Sequence, residues 1–189
     1  MRILPIAALM ASLAMPAAAD DFTPVLQDYL EAEIRPWATN PILISAIRAQ
    51  NERHAGMSLA QVEEMDRTWR AEIGAADTPT ITPVLENSAS DYLRERVEAA
   101  GGMITEVFIM DSHGLNVAAS SATSDMWQGD EAKFNETYPK GADAVHISDI
   151  EFDESSQIFQ GQISIPMVDP DTGEVVGAMT VGVNAEALM

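Results

Sequence analysis

Apolar positions recur at three- and four-residue steps through the first half of the chain, then give way to short runs rich in β-branched and aromatic residues. Phe22, Val25, Leu26, Tyr29, Leu30, Ile34 and Trp37 form one such stripe, and Leu59, Val62, Met65, Trp69 and Ile73 another. Four helix starts precede or open these stripes. Thr23-Pro24, Asn40-Pro41 and Thr82-Pro83 each place a capping side chain before a proline at the first helical position, where its missing N–H is not needed. Ser58-Leu59-Ala60-Gln61 has the spacing of a capping box. The last helix is expected to bury Leu85, Ala89, Tyr92, Leu93, Val97 and Ala100 and to stop at Gly101-Gly102, which accept a left-handed backbone at low cost.

Five strands are then predicted at Met103 to Met110, Leu115 to Ala119, Val145 to Phe152, Gln157 to Pro166 and Glu174 to Asn184. Turn-forming residues separate them: Asp111-Ser112-His113-Gly114, Asp153-Glu154-Ser155-Ser156 and Asp169-Pro170-Asp171-Thr172-Gly173. Short turns imply antiparallel neighbours. Helices followed by a run of strands predict an α+β fold, with helices packed on one face of a five-stranded antiparallel sheet. The connection from Ser120 to Ala144 is far longer than a hairpin needs. It carries Trp127, Phe134 and Tyr138, and a short helix is expected from Asp130 to Thr137, so it reads as a folded cap.

The N-terminus changes the cellular picture. Arg2, an uncharged stretch from Ile3 to Met15, Pro16 and Ala17-Ala18-Ala19 make a secretory signal peptide with an A-x-A cleavage site. The stretch would span only about 20 Å as a helix, against roughly 30 Å of bilayer hydrocarbon. The organisation expected is a signal peptide over 1–19, a helical region over 20–82 and the strand-bearing domain over 83–189, placed in the periplasm or outside the cell. The full chain has 10 basic and 30 acidic residues, a net charge of −20. Loss of Arg2 with the signal leaves nine against 30, which repels nucleic-acid phosphates and anionic membrane surfaces. There is no cysteine, hence no disulfide, thiolate nucleophile or thiolate metal ligand.

Val107 to Gly114, Ala118-Ala119-Ser120, Thr123 to Glu131 and Asp153-Glu154-Ser155, with Ile165-Pro166 and Val176-Gly177-Ala178, together resemble a single Cache domain. This PAS-like extracellular sensor fold, also called PDC, is matched from about residue 83 to 185. The resemblance implies a long N-terminal helix, a five-stranded antiparallel sheet and a small-molecule pocket between the sheet and the cap. Most Cache domains lead into a membrane helix and an output module. No such module follows here, so a signal would pass to a separate membrane receptor or kinase.

Within the cap, Trp127 and Asp130 are the expected ligand contacts, with Ser121 and Asp153 as further contributors: an aromatic face beside hydroxyls and carboxylates suits a small polar ligand. The competing roles are structural, Trp127 pinning the cap and Asp130 capping its helix. Lys133, Lys140 and His146 are the cationic groups near the cap that a ligand carboxylate would need, whereas an amine would find acidic partners more easily. The three histidines, at 54, 113 and 146, fall in different predicted elements, and no metal-ligand spacing, nucleophile elbow or cofactor fingerprint is present. No catalytic residue, metal or cofactor is therefore expected. The segment Asp169 to Glu174 lacks the spacing of a calcium loop and reads as a plain turn, in which Asn at 169 and 171 should cost little. A periplasmic small-molecule sensor is the leading function. The alternatives are a structural or interaction domain whose pocket is filled by its own side chains and, less favoured, an enzyme with an unrecognised site.

Overall fold

The computed structural model describes residues 22–153 and 158–188, so the signal segment and the turn at 154–157 lie outside the described residues, as does the side chain of Asp153. The first helix is continuous but not uniform: α1 (Thr23–Tyr29) runs through a π-helical turn (Leu30–Ile34) into α2 (Arg35–Ala38). Pro36 explains the irregularity, since it has no N–H to donate and its ring crowds the preceding turn. The Arg35 N–H accordingly bonds the Leu30 carbonyl, five residues back.

Then follow α3 (Pro41–Arg53), α4 (Leu59–Glu72), α5 (Ile81–Leu85) and α6 (Ser88–Ala99). Asn40 caps α3 by accepting from Ile42 N at 2.9 Å, and Gln61 Oε1 accepts from Ser58 N at 2.9 Å, as its place in a capping box predicts. The single helix expected after Thr82-Pro83 is broken in two. Asn87 interrupts it: Oδ1 accepts from Ser90 N to cap α6, while Nδ2 donates to the carbonyls of Pro83, Val84 and Val117. Leu59 and Ile73, expected in the buried stripe of α4, lie at its ends and are exposed.

The strands are β1 (Ile104–Met110), β2 (Asn116–Ala119), β3 (His146–Ile147), β4 (Glu151–Asp153), β5 (Ile158–Val168) and β6 (Val175–Asn184). All pair antiparallel in the order β2-β1-β6-β5-β3, with β4 also on β5. The five predicted strands are all present, the third as two pieces. Ser148 N donates to the Gln162 carbonyl and Ser148 Oγ accepts from Gln162 N, so a side chain takes over the ladder between β3 and β4.

Alternation along the central strands gives the sheet two apolar faces. Val107, Ile109, Met179, Val181 and Val183 pack against Leu26, Leu30, Ile34, Leu43, Ile47 and Leu93 of the helices. Phe108, Met110 and Ala178 point the other way, into a second cluster with Val62 and Trp69 of α4, Ile81 and Val84 of α5, and Met126 and Phe134 of the cap. The helices thus divide between the two faces, because the stripe of α4 is completed by the cap. No described helix is long and apolar enough to cross a membrane.

The β5–β6 turn is more than a plain connection. Asp169 Oδ1 accepts from Asp171 N at 2.8 Å and Oδ2 meets Arg48 of α3 at 2.5 Å, tying the hairpin to the helix layer. The Asp171 N–H and the Arg48 guanidinium hold the Asp169 carboxyl below its ordinary range against the opposing effect of desolvation. Its stabilising contribution is therefore complete above the unfolded value of about 3.9 and is lost as the pH falls through the lower folded value. Asp169→Asn is expected to destabilise at neutral pH, with the gap to wild type closing in acid. Urea midpoints at neutral and acid pH measure it, and equal midpoints at neutral pH would show that the Arg48 tie carries nothing.

Candidate functional site

The cap leaves β2 at Ala119 and first returns beside it. Gln128 N donates to Gly114 O at 2.8 Å, Asn116 N to Met126 O at 3.0 Å, and Leu115 bridges Trp127. Two glycines permit this close passage. Gly114 has φ +80°, and a Cβ there would strike the Gly129 backbone, while a Cβ on Gly129 would strike the Trp127 indole and the His113 carbonyl. Trp127 is half-buried and its Nε1 donates to His113 O at 2.9 Å, so it fastens the cap to the β1–β2 turn. Asn116 Nδ2 holds Thr123 Oγ1 at 2.8 Å and the Asp125 carbonyl at 3.1 Å.

Beyond Gly129 the chain forms α7 (Ala132–Asn135), shorter than the expected helix, and a 3-10 turn (Tyr138–Lys140). Thr137 Oγ1 bonds back to the Lys133 carbonyl at 2.6 Å, and the Phe134 and Tyr138 rings stack 5.1 Å apart. This geometry turns Lys133 inward. Its side chain is only 15% exposed, its Nζ lies 5.5 Å above the Phe108 ring, and it meets Gln128 Oε1 at 3.1 Å and Glu131 Oε2 at 3.0 Å. Lys140 is 53% exposed by comparison and pairs with Glu136.

Lys133 stands on the wall of a cleft of about 210 Å³ between α7 and the β3–β5 edge, shared with Glu131, Ser148, Glu151, Phe152, Gln160 and Gln162. Gln160 Nε2 and Gln162 Nε2 both approach Glu106 Oε1, at 3.1 and 3.4 Å, and Thr105 Oγ1 donates to Gln160 Oε1. The cleft therefore offers an ammonium, two carboxylates and amide side chains beside an aromatic edge. That combination can orient a small polar molecule by hydrogen bonds and charge.

None of Ser121, Trp127 and Asp130 lines this cleft. Ser121 and Asp130 are exposed, Asp130 immediately ahead of Glu131, and Trp127 has its indole N–H committed to the turn. Asp153 closes β4, where its backbone pairs with Ile158. Lys133 is the cation that does line the cleft. The sequence marks it as a cation near the cap; that it points inward depends on the α7 turn and on Phe108, 25 residues earlier.

Two groups that the sequence keeps apart are brought together at the opposite end of the sheet. Asp111 is fully buried, and its Oδ2 lies 2.7 Å from His54 Nδ1, with the His54 and His113 rings edge to face at 6.5 Å. A second cleft of about 370 Å³ adjoins them, lined by Arg48, Asn51, Glu52, Ser112, Tyr138 and Glu174 among others. Burial, reinforced by the Asp111 and Glu174 charges, raises the Tyr138 phenol above its ordinary value against a hydrogen bond from Ser112, so it remains a neutral donor and acceptor. Ser112 Oγ is 3.5 Å from His113 Nδ1, too long for an activated nucleophile and its base. Among the described residues no group of three or more His, Cys, Asp or Glu is arranged to hold a metal ion.

No family model matches the chain, and no curated protein matches it. Solved structures do. The sensor domain of the V. cholerae histidine kinase DctB superposes with a TM-score of 0.50 at 15% identity, covering 88% of this chain and 52% of that one. The chain has the fold of a Cache-type sensor domain. The ligand-binding domain of the Campylobacter jejuni chemoreceptor Tlp3, solved with L-norvaline, is a more distant match, with a TM-score of 0.43, 12% identity and coverage of 90% and 65%. This chain thus spans about half of the DctB domain and just under two thirds of the Tlp3 domain. In the Cache-type fold described here the β2–β3 connection is the cap, and it roofs the cleft that holds Lys133.

Proposed function

We propose that the chain is an exported small-molecule sensor module whose ligand occupies the Lys133 cleft and whose signal passes to a separate membrane receptor or kinase. The observation that carries this reading is an ammonium group largely withdrawn from water at the wall of an open cleft. Two of its three donors are taken by Gln128 and Glu131. A ligand carboxylate or carbonyl can take the third, and Glu151 and Gln162 offer groups for its other end. Export is supported by Ala17-Ala18-Ala19 after the short apolar stretch.

One observation favours the structural alternative. The polar groups around the cap are nearly all satisfied internally: among the described buried side chains, only Asn116 Oδ1, beside the cap, and Arg96 Nε lack a hydrogen-bond partner. The two readings part in a thermal-shift screen of amino acids, carboxylates, amines and purines. A ligand at a hundredfold excess over its Kd stabilises the folded state by about 2.7 kcal/mol, roughly 5–11 °C for a chain of this size. Lys133→Met should abolish the shift while Lys140→Met retains it. A hit that stabilises Lys133→Met as fully as wild type would move the site elsewhere.

A further inference from the structure

Helix α4 is fastened to the cap. Trp69 is fully buried and its Nε1 donates to Thr123 O at 2.9 Å; Asp66 Oδ1 accepts from Met126 N at 3.0 Å and Trp127 N at 3.1 Å; Arg70 Nη2 reaches Asp125 Oδ2 at 3.2 Å. Among the described residues, the other side-chain hydrogen bonds leaving α4 are those of Gln61 with the N-cap Ser58 and of Glu72 with Thr80 N and Ile81 N, just ahead of and at the start of α5. The cap is thus shared between the Lys133 cleft on one side and α4 on the other.

A continuous polar path joins them. Lys133 Nζ donates to Gln128 Oε1 at 3.1 Å, Gln128 Nε2 donates to Asp125 Oδ1 at 2.5 Å, and Arg70 bridges Asp125 to Asp66, whose Oδ2 it meets at 2.7 Å. We infer that this path is a relay through which the state of the cleft is passed to α4, making α4 the element that reports ligand occupancy. The inference rests on the reading of the cleft as a ligand site, although the relay itself is a property of the protein alone.

The physical basis is the planarity of the Gln128 amide. Its oxygen faces Lys133 and its nitrogen faces Asp125, and the residue is 1% exposed, so water cannot substitute for either bond. A ligand that draws Lys133 away from Oε1 removes one of the bonds that fix that amide orientation, the others being those of Nε2 to Asp125 O and Oδ1, and any rotation in response also takes Nε2 from Asp125. Asp125 then holds Arg70 and the 125–127 backbone less firmly, and these are the groups that engage Asp66 and Trp69. Arg70 is half-exposed, so the backbone contacts at Met126 and Trp127 are the stronger arm of the relay.

The test is hydrogen exchange of the Trp69 indole proton by NMR on the isotopically labelled, ligand-free protein, with the Val181 amide in the middle of the sheet as the reference for global stability. Lys133→Met and Gln128→Met should each accelerate Trp69 exchange by about fivefold or more, as expected for loss of one buried hydrogen bond. The double variant should exchange no faster than the faster single one, because both interrupt one path. Gln128→Glu keeps an acceptor for Lys133 but turns a carboxylate toward Asp125, and it too should accelerate Trp69. Lys140→Met should leave it unchanged. Unaltered Trp69 exchange in Lys133→Met, effects that multiply in the double variant, or an equal acceleration at Val181 would each overturn the relay. A ligand screen that finds nothing bears on the cleft reading and leaves this result standing.

Discussion

Asp111→Ala is expected to lower the melting temperature by roughly 6–20 °C, taking about 3–5 kcal/mol for stranding the partners of a buried charge and 2–4 °C per kcal/mol for a chain of this size. The carboxylate is fully buried and answers four groups at once: His113 N at 2.8 Å and Leu115 N at 3.0 Å on Oδ1, and Gln50 Nε2 at 3.0 Å and His54 at 2.7 Å on Oδ2. Alanine leaves these groups facing an apolar void that supplies no acceptor. Asp111→Asn retains an oxygen for the two backbone donors but sets its amide nitrogen against Gln50, so its loss should be intermediate. The turn also presents the His113 carbonyl to Trp127, so the alanine variant should loosen the cap before the sheet. Thermal melts of the two variants decide the matter, and wild-type stability in Asp111→Ala would remove the turn from the account.

Trp69→Ala should cost a comparable 3–5 kcal/mol, the usual range for removing a large buried ring. Trp69 is among the largest fully buried side chains, and it packs in the cap-side cluster with Phe108, Met126 and Phe134. Its removal also orphans the Thr123 carbonyl. Trp69→Phe keeps most of the ring but loses the hydrogen bond and should cost about 1–3 kcal/mol, the penalty of one unsatisfied buried acceptor. In both variants the α4 amides should lose protection ahead of the central strands, which hydrogen exchange resolves residue by residue. Uniform loss across α4 and β6 would contradict the placement of α4 on the cap.

How far the sequence reaches follows from which interactions are local. Local signals place the caps at Asn40 and Ser58, the strands and their antiparallel order, which reappear apart from the split third strand, whereas Thr23 and Thr82, read as caps, lie inside α1 and α5. The break at Asn87 depends on a carbonyl 30 residues later, that of Val117, and the split of the third strand depends on Ser148 meeting Gln162. Neither partnership leaves a local signal.

The site follows the same rule. The long cap and its aromatic residues are visible in the chain, but the task of Trp127 is set by the distant His113 carbonyl. Lys133 is one of three cations near the cap in sequence, and only its seat above Phe108 distinguishes it from Lys140. His54 and His113 look unrelated until α3 and the β1–β2 turn bring both beside Asp111.

The most direct test of the central claim is an NMR titration of the labelled protein with a hit from the ligand screen. Occupation of the proposed cleft predicts shift changes centred on Lys133, Ser148, Gln160 and Gln162, with a weaker response at Trp69. Shift changes centred instead on Ser112, Tyr138 and Glu174, with Lys133 and Gln162 unmoved, would place the ligand in the second cleft and contradict the account.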